Sequence, residues 1–325
     1  MNDSTAPETT ASVRGDARAG AADSPVSAPE VAIIVLTWEN YEETADCLDS
    51  LRSVEYDNYR VIVVDNGSED GSVSRLRQEH GWCDFLVNDE NIGFAGGNNV
   101  GISYALDAGT DYVLLLNDDT LVQSDFLAPL VDTMQRYDGV AAVGGVNLLP
   151  GSGRIHNAGY VFHPWLAAKG ELLREPVSDE PYPVDFVQSC LILLNPEFLE
   201  EIGLLNEQYF IGMDDVDLAW KARAKGWKVL VTPDSRIHHR VGETASSSPF
   251  SIYHKTRNKL HFAAENLSPA RRLPLYLSLL AYRFVLSIWW VVSGNRRAIR
   301  ATVLGAFDHF RDAAFRDHDE ITGSN

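Results

Sequence analysis

The sequence has few cysteines and few basic residues, and both shortages narrow the class of protein. The three cysteines, Cys47, Cys83 and Cys190, are odd in number and lack metal-ligand spacing. We therefore expect small core residues in a reduced, intracellular chain rather than a disulfide framework. Lysine and arginine number 27 against 46 acidic residues, which gives a net charge of −19. This balance argues against nucleic acid as a partner, because phosphate contacts need basic side chains.

The first 30 residues lack the apolar run that a secretory signal requires. They are rich in Ala, Ser, Pro, Thr, Asp and Glu without periodic apolar positions, which predicts a disordered tail over 1–30. The total of 325 residues suits one large domain or two. Ordered structure is predicted to begin at Val31, where a continuous apolar run starts.

Short apolar runs alternate with helical patterns between residues 31 and 146. Buried strands are predicted at 31–37, 59–65, 85–87, 111–117 and 140–144. Such alternation predicts an α/β fold, a doubly wound and mostly parallel sheet with helices on both faces. From 147 to 183 the pattern favours hairpins and loops. It then predicts a short helix after Asn195, an amphipathic helix over 214–225, a last strand over 228–231 and a helical region over 246–325.

Polar residues follow three of the predicted parallel strands. They are Thr37 with Asn40, Asp65 with Asn66, and the triplet 117–119 (NDD). Each segment alone is an ordinary turn or helix start. Because ligands bind beyond the carboxyl ends of the strands in open α/β sheets, however, the three segments are expected to meet at one edge. Clustered carboxylates repel each other unless a cation neutralises them, so Mg²⁺ or Mn²⁺ with a phosphate-bearing ligand is predicted there.

Three further segments carry candidate functional groups. The glycine-rich stretch 91–99 (NIGFAGGNN) precedes a helix but lacks the dinucleotide spacing, and a tight turn is the alternative. Three aspartates lie at the start of the helix, within 214–217. A helix cap needs fewer acidic residues than this, so one of the three is a candidate general base. His238 and His239 come after the predicted last strand, and one ring of the adjacent pair is a candidate metal ligand.

These segments, taken together and in order, resemble the family 2 glycosyltransferases with the GT-A fold, in particular the rhamnosyltransferase-like branch. The resemblance covers about 31–242. It rests on 35–41 (VLTWENY), 63–68 (VVDNGS), 91–99 (NIGFAGGNN), 115–120 (LLNDDT) and 214–218 (DDVDL), followed by Gly226, Trp227 and His239. It implies a catalytic domain over 31–245, with a nucleotide-binding half (31–146) and an acceptor half (147–245).

The resemblance also implies roles for single residues. Thr37, Asn40, Asn117 and Asp118 would contact the nucleotide sugar, and Asp65 would contact a uracil or thymine base. Gly96, Gly97 and Asn98 would contact the ribose and diphosphate. Asp119 is the implied metal ligand, joined by His239 rather than His238. Asn117 stands where the family has the first Asp of its D-x-D motif. Asp215 aligns with the catalytic base, and Asp214 ranks second.

The implied reaction is metal-assisted, inverting transfer of a sugar from a UDP- or dTDP-type donor to a hydroxyl of a glycan or polyprenyl-linked acceptor. The alternative is a non-catalytic sugar-nucleotide or glycan-binding protein on the same fold. A nucleotidyltransferase is a third interpretation. It would need a basic loop near the first strand, and 38–43 (WENYEE) has no basic residue.

The helical region combines apolar and basic character. Residues 273–292 form an apolar run of bilayer-spanning length, but Arg283 at its centre would cost roughly 3 kcal/mol or more in a bilayer core. A helix in the membrane interface is therefore favoured, with a soluble packed helix as the alternative. Residues 254–300 carry nine basic residues and one acidic, a net charge of +8 that leaves −27 for the rest. We expect peripheral membrane contact through 254–300, at the cytoplasmic face of the cell membrane.

Overall fold

A computed structural model describes residues 28–163, 168–240, 248–311, 316 and 318–322. Most of the tail predicted over 1–30 lies outside the described residues. The first ten elements are β1 (Val31–Thr37), α1 (Tyr41–Leu51), β2 (Tyr59–Asp65), α2 (Ser72–Glu79), β3 (Asp84–Val87), α3 (Gly93–Asp107), β4 (Tyr112–Asn117), β5 (Thr120–Val122), α4 (Leu127–Arg136) and β6 (Val140–Leu148). They alternate as the sequence predicts, except that an unpredicted strand, β5, directly follows β4.

The second part of the chain begins with short strands and ends in helices. Its elements are β7 (Ile155–Asn157), β8 (Tyr160–His163), β9 (Lys169–Leu172), β10 (Tyr182–Pro183), β11 (Leu191–Leu194), α5 (Pro196–Ile202), α6 (Asp214–Lys225), β12 (Lys228–His239), α7 (Pro249–Asn266), α8 (Pro269–Val292), α9 (Arg296–Arg311) and α10 (His318–Thr322). α5 starts where Asn195 caps it, its side chain accepting from the backbone N–H of Glu197.

The main sheet is mixed, with the order β10-β12-β6-β11-β4-β1-β2-β3. β1 pairs in parallel with β2 and β4, and β2 pairs in parallel with β3, as a doubly wound fold requires. β11 lies antiparallel between β4 and β6. The sequence analysis did not predict this strand, because four apolar residues just before a helix cap carry no periodicity.

The last strand is longer than predicted. β12 continues from Lys228 to His239, rather than ending at 231, through an irregular register against β6. His238 and His239 therefore lie on the strand, not after it, and His239 pairs with Thr120 of β5. This extension brings the histidines to the polar edge of the sheet.

Helices cover both faces of the sheet, as predicted. Alternate residues of β1 point to opposite faces: Ile33 and Val35 pack in a core with α1 and α4, and Ala32 and Ile34 pack in a core with α3 and α6. The second core also takes in Phe262 of α7, so the helical region is joined to the catalytic domain.

Candidate active site

The carboxyl ends of β1, β2 and β4 meet at one edge of the sheet. Thr37 is in register with Asp65, and Leu36 is in register with Asn117. The polar segments that follow these strands are therefore neighbours, as the sequence predicts. The expected carboxylate-rich edge is confirmed as a feature of the fold.

Asp118 is bound by side chains of the β1–α1 connection. The amide of Asn40 donates to Asp118 Oδ2 at 3.0 Å, and the hydroxyl of Thr44 donates to the same oxygen at 3.2 Å. Thr44 also shares a hydrogen bond of 2.7 Å with the buried Thr37. Burial, followed by the charge of Asp119, raises the pKa of Asp118 to about 6.

A cleft of about 270 Å³ opens beside these residues. Its lining includes Thr37, Asn40 and Asp118, three of the predicted nucleotide-sugar contacts. Phe210 and Phe250 close its other side. The sequence analysis missed both aromatic residues, because they come from the loop before α6 and from the first turn of α7, far away in the chain.

Asp65 is fully buried at the end of β2, in register with Thr37. Its Oδ2 accepts from the backbone N–H of Ser68 at 3.3 Å, whereas Oδ1 has no hydrogen-bond partner among the described residues. Asn66, next to it, fixes the following loop. It donates to Asn91 Oδ1 at 2.9 Å and to the Gly93 carbonyl at 3.1 Å. The sequence predicts Asn66 at the polar edge of the sheet but not its role in holding this loop.

The glycine-rich stretch forms the first turns of α3, where Gly96, Gly97 and Asn98 are buried. A Cβ on Gly97 would come within 2.5 Å of a methyl group of Leu36 on β1. Gly97 therefore lets the helix approach the strand closely. Asn98 donates to the Phe94 carbonyl inside the helix. Gly93 and Phe94, rather than these three residues, line the cleft, so their contact with ribose and diphosphate stays a prediction.

Asp119 and His239 form a contact across the β5–β12 pair. His239 Nε2 lies 3.1 Å from Asp119 Oδ1. Burial lowers the pKa of His239, but the neighbouring Cys190 and Asp119 outweigh burial and raise it to about 10. Across the described residues, no group of three or more His, Cys, Asp or Glu side chains is arranged as a metal site. The pair is a nitrogen and oxygen donor set that fits two positions of a Mn²⁺ or Mg²⁺ ion, with further ligands needed from the substrate.

The other two predicted edge residues lie beside this contact. Asn117 has a buried Oδ1 without a hydrogen-bond partner among the described residues. His238 points to the other side of β12 from His239, because alternate side chains of a strand face opposite ways.

The three aspartates at the start of α6 have different surroundings. Asp214 is buried and accepts from the hydroxyl of Ser189 at 2.9 Å. Asp217 is buried and accepts from Asn266 of α7 at 2.6 Å. Asp215 is half-buried, and its one hydrogen bond within the described structure is with the backbone N–H of Val216. Burial and the adjacent Asp214 raise the pKa of Asp215 well above that of an ordinary aspartate.

The segment 189–190, before β11, links the two groups of acidic residues. Ser189 contacts Asp214, and Cys190 adjoins His239. Tyr160 of β8 also lies near Asp215. Burial, followed by the charge of Asp215, raises the pKa of Tyr160. From the sequence, Cys190 was given only a core role and neither Ser189 nor Tyr160 was given any. Ser189 and Cys190 precede β11, a strand that was not predicted.

The architecture is that of a GT-A glycosyltransferase, a nucleotide-sugar enzyme fold. Two solved glycosyltransferases superpose on it. GalNAc-T7 with UDP, GalNAc and Mn²⁺ gives a TM-score of 0.57 at 17% identity, over 70% of this chain and 47% of that chain. The mannosyltransferase PcManGT from Pyrobaculum calidifontis, in complex with GDP-Man and Mn²⁺, gives 0.53 at 17% identity, over 92% of this chain and 91% of that one.

The sequence identifies the family. Residues 32–169 match the model described as glycosyl transferase family 2. The chain is 26% identical over 254 residues to a low-salt glycan biosynthesis hexosyltransferase of Haloferax volcanii, covering 73% of this chain and 76% of the relative. It is 26% identical to the N-acetylglucosaminyl-diphospho-decaprenol L-rhamnosyltransferase of Mycobacterium tuberculosis, covering 74% and 86%. A dTDP-rhamnosyl transferase of Shigella flexneri is 24% identical, covering 68% and 75%.

Residues 32–169 therefore form a glycosyl transferase family 2 domain, and the chain is similar to rhamnosyltransferases and hexosyltransferases of glycan biosynthesis. Both the family and the fold predicted from the sequence are confirmed. The chain is accordingly an enzyme, which sets aside the alternative of a non-catalytic binding protein and the nucleotidyltransferase interpretation.

Proposed function

We propose that the enzyme transfers a sugar from a UDP- or dTDP-type donor to a hydroxyl of a glycan or lipid-linked acceptor, with inversion at the anomeric carbon. The observation that carries this proposal is the link through residues 189–190, because Ser189 contacts Asp214 next to Asp215 and Cys190 adjoins His239 of the Asp119–His239 pair. A candidate donor cleft, a candidate metal pair and a candidate base would thus serve a single substrate.

The donor would occupy the cleft beside Thr37, Asn40 and Asp118. The buried Oδ1 of Asp65 supports a role in accepting from the N3–H of uracil or thymine, because a buried acceptor without a partner is costly. Gly96, Gly97 and Asn98 would lie along the ribose and diphosphate. The Shigella flexneri relative is named for dTDP-rhamnose transfer, which supports a donor of this type.

Asp119 and His239 would hold the divalent metal, with Asn117 and Asp118 beside them. When bound, the metal would neutralise the diphosphate leaving group. Both superposed structures contain Mn²⁺, which supports metal assistance.

Asp215 would remove the proton from the acceptor hydroxyl as the oxygen attacks the anomeric carbon. Asp214 is the weaker candidate, because its carboxylate already accepts from the Ser189 hydroxyl. One base with direct displacement gives inversion, whereas a covalent retaining route would need a second carboxylate placed as a nucleophile.

The acceptor half, 147–245, and the helical region would receive the acceptor. One relative is named for transfer to N-acetylglucosaminyl-diphospho-decaprenol, which supports a polyprenyl-linked acceptor. α8 is long and apolar enough to cross a bilayer, and 22% of its most apolar part is buried against the protein. Its exposed apolar face, with Arg271 and Arg272 in its first turn and Arg296 and Arg297 at the start of α9, supports peripheral contact with the cytoplasmic face of the membrane.

The variant Asp215→Asn tests the base. It keeps the size of the side chain and should lower kcat by about 10²–10⁴-fold, because a general base contributes that much. Stabilisation of the protein by nucleotide and Mn²⁺ in a thermal-shift assay should remain. Asp107→Asn, on the exposed end of α3, is the control and should retain full activity. Transfer at the wild-type rate by Asp215→Asn would refute the base assignment.

A further inference from the structure

The loop that leads into α6 connects the donor cleft with the candidate base. This loop, residues 208–213, contributes Phe210 and Ile211 to the lining of the cleft. It ends at Met213, directly before the first residue of α6, and Asp215 is the second residue of that helix. The conformation of the loop therefore sets the direction in which α6 starts and the position of the Asp215 carboxylate.

The end of this loop has a backbone conformation that most residues avoid. Gly212 and Met213 have φ angles of +75° and +77°, in the left-handed region. Glycine adopts such angles readily, whereas methionine is strained there. Strain of this kind persists only where the surrounding structure holds it, and it is concentrated at functional sites. The contacts that hold Gly212 and Met213 therefore bear on the position of α6.

Asn258 of α7 supplies two contacts to this part of the loop. Its side chain is fully buried, and its Nδ2 donates to the Ile211 carbonyl at 3.0 Å and to the Gly212 carbonyl at 2.9 Å. Two carbonyl oxygens that meet at one side chain require a donor, which neither a carboxylate nor an apolar group provides. Asn258 thus binds the backbone immediately before the strained Met213.

Other residues hold the opposite end of the loop. The Phe210 carbonyl accepts from the backbone N–H of Phe94 at 2.6 Å, and Phe94 itself lines the donor cleft. The Gln208 carbonyl accepts from Arg257 Nη1 at 2.9 Å. Because this end is held on the donor side, loss of Asn258 is expected to displace the start of α6 more than the wall of the cleft.

We propose that Asn258 is a positioning residue for the candidate base, and that it fixes the start of α6 so that the Asp215 carboxylate faces the acceptor hydroxyl. The proposal rests on the proposed function, because it takes Asp215 as the base. It gives α7 a part in the reaction besides its packing on the catalytic domain. The helical region would hold the loop from which the helix of the base starts.

A double-mutant cycle tests whether Asn258 acts through Asp215. The probe reaction is transfer of rhamnose from dTDP-rhamnose to N-acetylglucosaminyl-diphospho-decaprenol. Asn258→Leu should lower kcat by about 10- to 100-fold and leave the KM for the donor nearly unchanged, since a misplacement of about 1 Å has an effect of this size. In the Asp215→Asn background it should have almost no further effect, because residues that act as a unit are not additive. Equal losses of kcat in both backgrounds would overturn the proposal.

Hydrogen exchange distinguishes positioning from a general loss of stability. The amides of residues 213–217 should exchange faster in Asn258→Leu than in the wild type. The matched control is Asn195→Leu, since Asn195 caps α5 and donates to the Val140 carbonyl at 3.2 Å. The control should have a lower melting temperature but wild-type kcat and unchanged exchange at those amides. Asn258→Ala repeats the comparison if leucine prevents folding, and unchanged exchange in the Asn258 variant would contradict the positioning role.

The same variants separate this proposal from the proposed function. Transfer at the wild-type rate by Asp215→Asn would refute the base assignment, and the positioning role would fail with it. Loss of activity in Asp215→Asn but not in Asn258→Leu would leave the proposed function intact and overturn only the role of Asn258.

Discussion

Asp214, Asp215 and Asp217 show how neighbouring carboxylates in one helical turn acquire separate roles. Ser189 donates to the first and Asn266 of α7 donates to the third, whereas the second accepts from the backbone N–H of Val216. A residue-level distinction of this kind depends on partners that are distant in the chain. The resemblance to the family ranked Asp215 first, and the geometry supports that ranking on independent grounds.

The raised pKa of Asp215 predicts the pH dependence of the reaction. A general base must be ionised, so kcat/KM should fall as the pH drops through the raised pKa, at a higher pH than for an ordinary aspartate. Asp214→Asn removes a negative neighbour and keeps an acceptor for Ser189. It should lower the pKa of Asp215 and move the acid limb of the profile to lower pH. A pH–rate profile of both proteins measures this shift, and a limb that stays in place would contradict the electrostatic coupling.

Gly97 predicts a stability effect at a single position. The methyl group of Gly97→Ala would lie 2.5 Å from a methyl group of Leu36, so either the Leu36 side chain or α3 would have to shift. We expect the free energy of unfolding to fall by about 1–3 kcal/mol, the usual penalty for overpacking a core. Gly81→Ala is the control, because its Cβ would make only an ordinary contact of 3.5 Å. Urea denaturation measures both, and equal effects would show that the close approach does not constrain the fold.

At the scale of elements, α6 and α7 are joined by buried polar contacts. Asp217 accepts from Asn266 at 2.6 Å and from the Tyr209 hydroxyl at 3.3 Å, and it pairs with Lys221 at 2.7 Å. These contacts attach the helical region to the helix that carries the candidate base. The position of α7 therefore depends on Asp217, which in the sequence resembles an ordinary acidic residue at the start of a helix.

Removing this contact should loosen the attachment of α7. Asp217→Ala leaves the partner groups unsatisfied, and we expect a loss of about 1–3 kcal/mol in unfolding free energy, the usual cost of leaving a buried hydrogen-bonding group without its partner. Hydrogen exchange of the α7 amides should also become faster. Glu200→Ala on α5, an exposed acidic residue of a neighbouring helix, should leave both measurements unchanged. Unchanged exchange in Asp217→Ala would mean that apolar packing alone holds α7.

The comparison of sequence and structure is also clearest at this scale. The parallel strands and the edge where they end were predictable, because continuous apolar runs and polar strand ends are local signals. β11, the extension of β12 and the cleft residues Phe210 and Phe250 were not, since each depends on pairing between distant segments. The Asp119–His239 contact is a mixed case. His239 was named through the family resemblance, but its place on a strand opposite Thr120 came only from the sheet.

For the whole molecule, the uneven distribution of charge and apolar surface sets the expected interactions. Residues 254–300 carry +8 within a chain of −19. Ten apolar or aromatic side chains of α8 are at least half exposed. They are Leu273, Leu277, Leu280, Tyr282, Phe284, Val285, Ile288, Trp289, Val291 and Val292. α9 extends this surface with Val303, Phe307 and Phe310.

The exposed face of α8 predicts association with anionic vesicles. Phe284→Ser/Trp289→Ser removes two large apolar groups and should abolish flotation with vesicles that contain phosphatidylglycerol. Flotation of the wild type should weaken as salt is raised, because part of the attraction is electrostatic. Trp82→Ser, before β3 on the nucleotide-binding half, should float as the wild type does. Equal flotation of wild type and the α8 variant would remove the membrane claim.

The antiparallel strand between β4 and β6 has a consequence for biosynthesis. β6 has no direct partner in β4, because β11 separates them in the sheet order. A nascent chain that has emerged only to residue 146 therefore cannot join β6 to the rest of its sheet, although it holds every strand of the nucleotide-binding half. β6 can join the sheet only after residues 191–194 have emerged, and the Asp119–His239 contact can form only after His239 has emerged. During translation the first half remains with an open edge while 40 to 50 more residues are added, a state open to aggregation at the ribosome.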